Sequence, residues 1–259
     1  LDPRQPGRMS RLGFIGTGHI AAPIVRFLAA RGHEIAVTRR NSEISAALHA
    51  ELGVAVEDDS QAVLDGSDIV LVCLRPQHAT EVLGGLTFRD DHQIVSVMAG
   101  VPRAALETLC APATDFVQTI PLGFLQRGGC PLPAHGDAAL LAGLFEPENP
   151  VIPVASEAAL NAHFAICAMV PGLLDLMATG AGWLSRETGD PAGAERYTSQ
   201  LVAGFLVAMA HGHGRLAAER DALATAGTLS RQMTDTLRTE GAHDALTTAL
   251  AAINDRLQP

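Results

Sequence analysis

Between residues 11 and 121 the chain alternates short apolar runs with stretches whose apolar positions recur every three or four residues. R-L-G-F-I-G (11–16) is a short apolar run ending in glycine, which predicts a buried strand. From Ile20 to Arg31, residues Ile20, Ile24, Phe27 and Leu28 take helical spacing. Pro23 falls in or just after the first turn, where N–H groups lack partners anyway, and Gly32 is the stop. E-I-A-V-T (34–38) predicts a second strand, Ser42 to Leu52 a helix, G-V-A-V (53–56) a short strand and Ser60 to Leu64 a helical turn. D-I-V-L-V-C-L (68–74), Q-I-V-S-V-M-A-G (93–100) and F-V-Q-T-I-P (116–121) predict further strands, with helices over 78–85 and from Pro102 to Cys110 between them.

Strands that are apolar on both faces and alternate with helices predict a parallel sheet covered on both sides, a Rossmann-type α/β domain. Residues 122–150 are rich in Gly and Pro and predict a weak strand and one helix (138–145), followed by a last strand, P-V-I-P-V (150–154). After Ala155 no strand-like alternation remains. The pattern predicts three long helices over 156–184, 192–220 and 228–257, broken at G-D-P and around T-A-G. The fold class is therefore an α/β domain over 9–154 followed by an all-helical domain over 155–259.

Composition narrows the chemistry. The 259 residues are 47% apolar but only 4% aromatic, a soluble globular balance with a core of Ala, Leu, Val and Ile. A net charge of -10 disfavours non-specific binding to nucleic acid or to an anionic membrane. All 18 basic residues are arginine, so Schiff-base formation on a lysine and lysine acid–base catalysis are excluded. Cys73, Cys110, Cys130 and Cys167 lie far apart with no C-x-x-C, which reads as reduced thiols in a cytoplasmic protein. The opening L-D-P-R-Q-P-G-R is polar, carries no signal-peptide pattern and reads as a tail before a natural start at Met9.

Residues 160–184 are apolar enough to pass for a membrane span, but His163, Pro171 and Asp175 lie inside the run. A carboxylate at mid-bilayer costs several kcal/mol, so the sequence predicts a buried or interfacial helix, with Asp175 buried against a hydrogen-bonding partner in preference to facing the site. A helical domain of about 100 residues is too small to bury this run alone, which predicts a homodimer or higher homo-oligomer through the helices.

Two short stretches carry the functional reading. G-T-G-H-I-A (Gly16 to Ala21) is a G-x-G-x-x-A turn placed after a strand and opening a helix. Gly16 suits the tight turn, Gly18 lets the backbone approach a pyrophosphate, and Ala21 keeps the helix close to the sheet. At the end of the second strand, where an acid would bond a ribose 2′-hydroxyl, the chain has Arg39 and Arg40, flanked by Thr38 and Ser42. Tandem guanidinium groups suit a 2′-phosphate, so the expected cofactor is NADP(H).

With G-F-I-G-T-G-H-I-A, L-V-C-L-R-P-Q and V-S-V-M-A-G-V in this order, the chain resembles the pyrroline-5-carboxylate reductases. The resemblance spans residues 11–250, specific in the first half and weaker in the second. It implies a Rossmann domain, a helical dimerisation domain and reduction of a cyclic imine in proline biosynthesis. It implies that Gly16, Gly18, His19 and Ile20 meet the pyrophosphate and that Thr38, Arg39 and Arg40 meet the 2′-phosphate. Ser60 would lie near the adenosine, Leu74, Arg75 and Pro76 along the nicotinamide ribose, and Ala99 and Gly100 beside the ring.

The second half departs from the family. Where the family has M-P-N-T-P this chain has I-P-L-G-F (120–124), keeping only Pro121 for the substrate. C-A-M-V-P (167–171) replaces S-G-S-G-P, and A-G-T-L-S (226–230) aligns with P-G-G-T-T. By that alignment Gly227 and Thr228 would give amides to a substrate carboxylate, and Ser230 would be the catalytic hydroxyl at the imine nitrogen. Three rival readings share features of this chain, and the first is set aside. The 3-hydroxyacid dehydrogenases share the opening motif but need a lysine that is absent here. A hydride shuttle between NADP and a deazaflavin usually has a shorter C-terminal part. A vestigial or redox-sensing NADP-binding protein would keep the cradle and lose the substrate site. No metal site is expected, because His211 and His213 do not share a helix face and have no further ligand at suitable spacing.

Overall fold

A computed structural model describes residues 9–209 and 211–258, and the expected tail over residues 1–8 lies outside the described residues. The strands are β1 (Arg11–Ile15), β2 (Glu34–Thr38), β3 (Ala55–Glu57), β4 (Ile69–Val72), β5 (Gln93–Ser96), β6 (Asp115–Thr119), β7 (Leu132–Gly136) and β8 (Val151–Pro153). They form one sheet in the order β3-β2-β1-β4-β5-β6-β7-β8. The helices of this half are α1 (Ala21–Ala30), α2 (Ser42–Leu52), α3 (Ser60–Asp65), α4 (Ala79–Leu83), α5 (Arg103–Leu109) and α6 (Ala138–Phe145).

Every residue of β4 and β5 is buried, as the unbroken apolar run of β4 predicts; β5 also buries Gln93 and Ser96 at its two ends. Along β4 the side chains alternate between two cores. Ile69 and Leu71 join Leu12, Phe14 and Val37 on one face of the sheet, while Val70 and Val72 join Ile15 and Ile94 on the other. Phe14 of β1 stands in register between Val37 and Leu71. Strand order reverses between β1 and β4, and a ligand crevice is expected beyond the carboxyl ends of the strands at such a reversal.

The sheet is parallel as expected except at one strand pairing. β7 pairs antiparallel with β6, opposing His135 to Gln118. A parallel return needs a crossover of a dozen or more residues, usually helical. The chain between β6 and β7 holds only a 3-10 turn, Gly123–Arg127. β8 then lies parallel to β7, with α6 in the connection.

The chain divides into two compact units. One runs to Phe164 and takes in the segment from Arg256; the other is Ala165–Asp255. The sheet unit therefore extends beyond the boundary near 154 read from the sequence, through the first turns of α7 (Glu157–Cys167). Glu157 Oε1 accepts the Arg103 N–H at 2.6 Å, and Asn161 donates to the Leu257 carbonyl at 3.1 Å. The helical unit contains α8 (Met169–Thr188), α9 (Pro191–Ala208), α10 (Arg215–Leu223), α11 (Leu229–Thr239) and α12 (Ala242–Asp255).

The three expected long helices are thus six. Pro171 cannot continue the first helix without clashing with the Cys167 carbonyl, so the chain restarts at α8 with the proline in its first turn. Positive φ at Gly212, Gly214 and Gly241 interrupts the other two. Asp175 is not buried as expected. It lies exposed on α8, a helix whose own apolar side chains are open to solvent in the single chain.

Candidate functional site

The cradle forms where β1 hands over to α1. Gly16 has φ 96°, and a Cβ there would lie 2.7 Å from the Cys73 carbonyl oxygen, so only glycine fits the turn. A Cβ on Gly18 would meet nothing within 4 Å, which leaves open space against the backbone where a phosphate has to approach. The α1 N-terminus has no side-chain cap and no acid in its first turn, so its N–H groups and dipole are left for an anion. His19 and Ile20 are exposed at this end. The glycine cradle and the bare helix end fit a dinucleotide pyrophosphate.

The loop is tied to β2 from within. The Gly16 N–H donates to Thr38 Oγ1 at 3.0 Å, and Thr17 Oγ1 donates to the Thr38 carbonyl at 2.6 Å. Thr38 is buried, so its hydroxyl locks the cradle to the strand end that presents the arginines. β2 and β3 pair with Thr38 opposite Glu57, and the Arg39 N–H bonds the Glu57 carbonyl at 2.9 Å. This continuation of the ladder fixes the Arg39 backbone at the carboxyl edge of the sheet.

A cavity of 420 Å³ opens at that edge, lined by Ile15, Gly16, Thr38, Arg39, Arg40, Asp58, Ser60, Leu74 and Val82. Six of the residues named from the sequence therefore meet in one place: Gly16, Thr38, Arg39, Arg40, Ser60 and Leu74. Arg39 Nε donates to Asp58 Oδ1 in an exposed ion pair, and Arg40 has no ion-pair partner among the described residues. The α2 N-terminus follows the arginines directly, with the Asn41 side chain accepting the Ile44 N–H at 3.2 Å. Two guanidinium groups beside a helix N-terminus give this edge a positive character that suits a compact dianion.

Ile15, Val82 and Asp58 complete the lining, and Asp58 is the charged residue among them that sequence reasoning missed. It belongs to the E-D-D run after β3, and its meaning depends on β3 pairing with β2. Cys73 stands beside the cradle, and burial pushes its thiol up to about 12, so it remains a neutral packing group.

The other named residues lie elsewhere. Arg75 and Pro76 are exposed at the 3-10 turn after β4. Gly100, next to Ala99, lines a separate cavity of 160 Å³ with Val101, Pro102, Glu157, Asn161 and Leu257. Pro121 is buried just beyond β6. In the helical unit, Gly227 has φ 81° and Thr228 caps α11, its hydroxyl accepting the Arg231 N–H at 3.2 Å. The Thr228 N–H itself bonds the Thr225 carbonyl at 3.2 Å, so this amide is engaged within the turn. Ser230 is exposed in the first turn of α11 and lines a groove of 590 Å³ with Phe205, Met209, Leu223 and Met233.

Comparison with known proteins gives one match confined to the sheet unit and others that span most of the chain. The profile of a family described as "NADP oxidoreductase coenzyme F420-dependent" matches residues 11–100, the part that carries the cradle and the arginines. The pyrroline-5-carboxylate reductase of Pseudomonas aeruginosa is 30% identical over 215 residues, 75% of this chain and 76% of that one. The structure of 1-pyrroline-5-carboxylate reductase from Streptococcus pyogenes matches with a TM-score of 0.81 at 20% identity, over 96% of this chain and 98% of that one. Plasmodium falciparum pyrroline carboxylate reductase with NADP bound matches with a TM-score of 0.80 at 13% identity, over 97% and 98% of the two chains. At these identities the two structures establish a shared fold.

Proposed function

The chain belongs to the pyrroline-5-carboxylate reductase family, and from that premise we propose that it is an NADPH-dependent reductase of a cyclic imine. The substrate is pyrroline-5-carboxylate or a related imino acid. One observation carries the cofactor half of the proposal: Arg39 and Arg40 line the same cavity as Gly16, Ser60 and Leu74. The arginines take the 2′-phosphate, the α1 N-terminus takes the pyrophosphate, and Ser60 borders the adenosine. When bound, the cofactor supplies the hydride that reduces C=N.

The chain's own part is to hold the imine and place a donor at its nitrogen. In this reading Ser230 donates its hydroxyl to that nitrogen and the Gly227 N–H holds the carboxylate. With the Thr228 amide engaged within its turn, the carboxylate depends on fewer donors than the family motif provides. This reduced donor set and the altered I-P-L-G-F segment favour a substrate other than pyrroline-5-carboxylate itself.

The working form is a cytoplasmic homodimer. Glu157–Thr188 is long and apolar enough to cross a membrane, with mean hydropathy 1.7, and 11% of its apolar window is buried in the single chain. Asp175 within that face argues for a protein partner over lipid. The test is NADPH consumption with a panel of cyclic imino acids of different ring size and carboxylate position. Turnover of at least one establishes the reductase. If NADPH binds and no imine is reduced, the chain is an NADP-binding protein that has lost its substrate site.

A further inference from the structure

Asp58 lies outside every motif discussed above, yet it lines the cavity with both arginines and contacts one of them. The contact is one-sided. Asp58 Oδ1 accepts from Arg39 Nε, and the two terminal amino groups of the guanidinium have no bond to it. A guanidinium presents its donors in a rigid planar fork, so engaging one edge orients the rest. The Arg39 backbone is already fixed by its N–H bond to the Glu57 carbonyl. Asp58 follows Glu57, so both ends of the arginine are referenced to the same strand end. As a fold-stabilising ion pair this contact is worth little, because the side chains are 52% and 80% exposed. Its place in the cavity gives it a different use.

We propose that Asp58 is a positioning residue for cofactor selection: it holds Arg39 by Nε so that the terminal amino groups stay free for the 2′-phosphate. The proposal rests on the assignment of this cavity to NADP(H). The acid does not touch the phosphate. It removes rotamer freedom from Arg39 before the ligand arrives, which lowers the ordering cost of binding. NADH makes no use of the oriented fork, so the effect is confined to the phosphorylated cofactor. An asparagine keeps the acceptor oxygen without the charge and should preserve most of the effect. An alanine should abolish it.

Calorimetric titration of the full chain with NADPH and with NADH tests this without turnover. Asp58→Ala should weaken NADPH about twofold to fivefold, a range capped by how weakly an exposed ion pair holds its geometry, and leave NADH unchanged. Asp58→Asn should recover most of the loss. Circular dichroism and Tm confirm that both variants fold. If the wild type prefers NADPH and Asp58→Ala binds it as well or better, the positioning role is overturned and the cofactor assignment stands. If Asp58→Ala weakens both cofactors equally, the residue supports the site only in general and the proposal fails. If the wild type binds both cofactors equally, the assignment itself falls, and the proposal with it.

Discussion

In the sheet unit Phe14, Ile15, Val70 and Leu71 are fully buried, whereas in the helical unit Leu176 and Leu201 are 64% and 58% exposed. The buried apolar residues of Ala165–Asp255, among those described, are four alanines and Met209. The large side chains of that unit line open grooves, one of 470 Å³ between α8 and α12 with Leu173, Leu176, Leu246 and Leu250 on its walls. The same kind of apolar periodicity thus has two outcomes. In the sheet unit it is matched by neighbours in the same chain. In the helical unit it leaves faces for a partner, which the proposed homodimer supplies. The cavity proposed for the cofactor lies in the self-sufficient unit.

The strongest test of this contrast acts on the cradle. Gly16→Ala places a Cβ 2.7 Å from a backbone oxygen at a positive φ, so about 3 kcal/mol or more of stability should be lost along with NADPH binding. Gly18→Ala, with no atom near its Cβ, should keep the wild-type Tm and lose only cofactor affinity. Thermal melts and titrations separate the two, and a Gly18→Ala variant with wild-type NADPH affinity would show that the open space at Gly18 has no bearing on the ligand. Next in size, Ser230→Ala should lower kcat about a hundredfold with NADPH affinity intact. A variant as fast as wild type on its best imine would leave Ser230 as an ordinary residue of the α11 first turn.

A smaller effect is expected in the helical unit. Leu176→Glu should leave the sheet unit and NADPH binding untouched and weaken the dimer at least about tenfold, since burial of one leucine is worth about 2 kcal/mol. Light scattering reads the mass. A 27.0 kDa wild-type particle at micromolar concentration would refute the dimer and the explanation given for the exposed leucines.

The smallest expected effect is a pH dependence within the sheet unit. Hydrogen bonding from Arg11 holds the Asp68 carboxyl below its usual value. A folded pKa below the unfolded one gives stability that is present above about pH 3.9 and lost as pH falls through the folded value. Asp68→Asn should therefore lower Tm slightly at neutral pH and match wild type in strong acid. The pair is exposed, so solvent keeps the difference small.

How much of this was legible in the sequence follows from where each residue finds its partners. α2 runs from Ser42 to Leu52 as read, because its Asn41 cap and its Gly53 stop are local signals. The placement of Arg39 and Arg40 was legible because it follows from the end of β2, itself readable from E-I-A-V-T. The direction of β7 was not, since it is set by a connection too short to cross over. Asp58 was a plain surface acid until strand pairing set it beside Arg39. Asp175 was misread because its apolar surroundings suggested a core, and in the single chain they form an open face.

Cofactor choice is expected to rest on the two arginines reading the 2′-phosphate. The direct measurement is the ratio of affinities for NADPH and NADH, titrated into wild type and into the Arg39→Ser, Arg40→Ser double variant. Two charge-assisted contacts are worth about 3 kcal/mol together, so the wild-type ratio should be about a hundredfold or more in favour of NADPH. In the double variant it should collapse toward one, with NADH affinity retained. A wild type that binds both equally, or a double variant that keeps the preference, would contradict the assignment of this cavity.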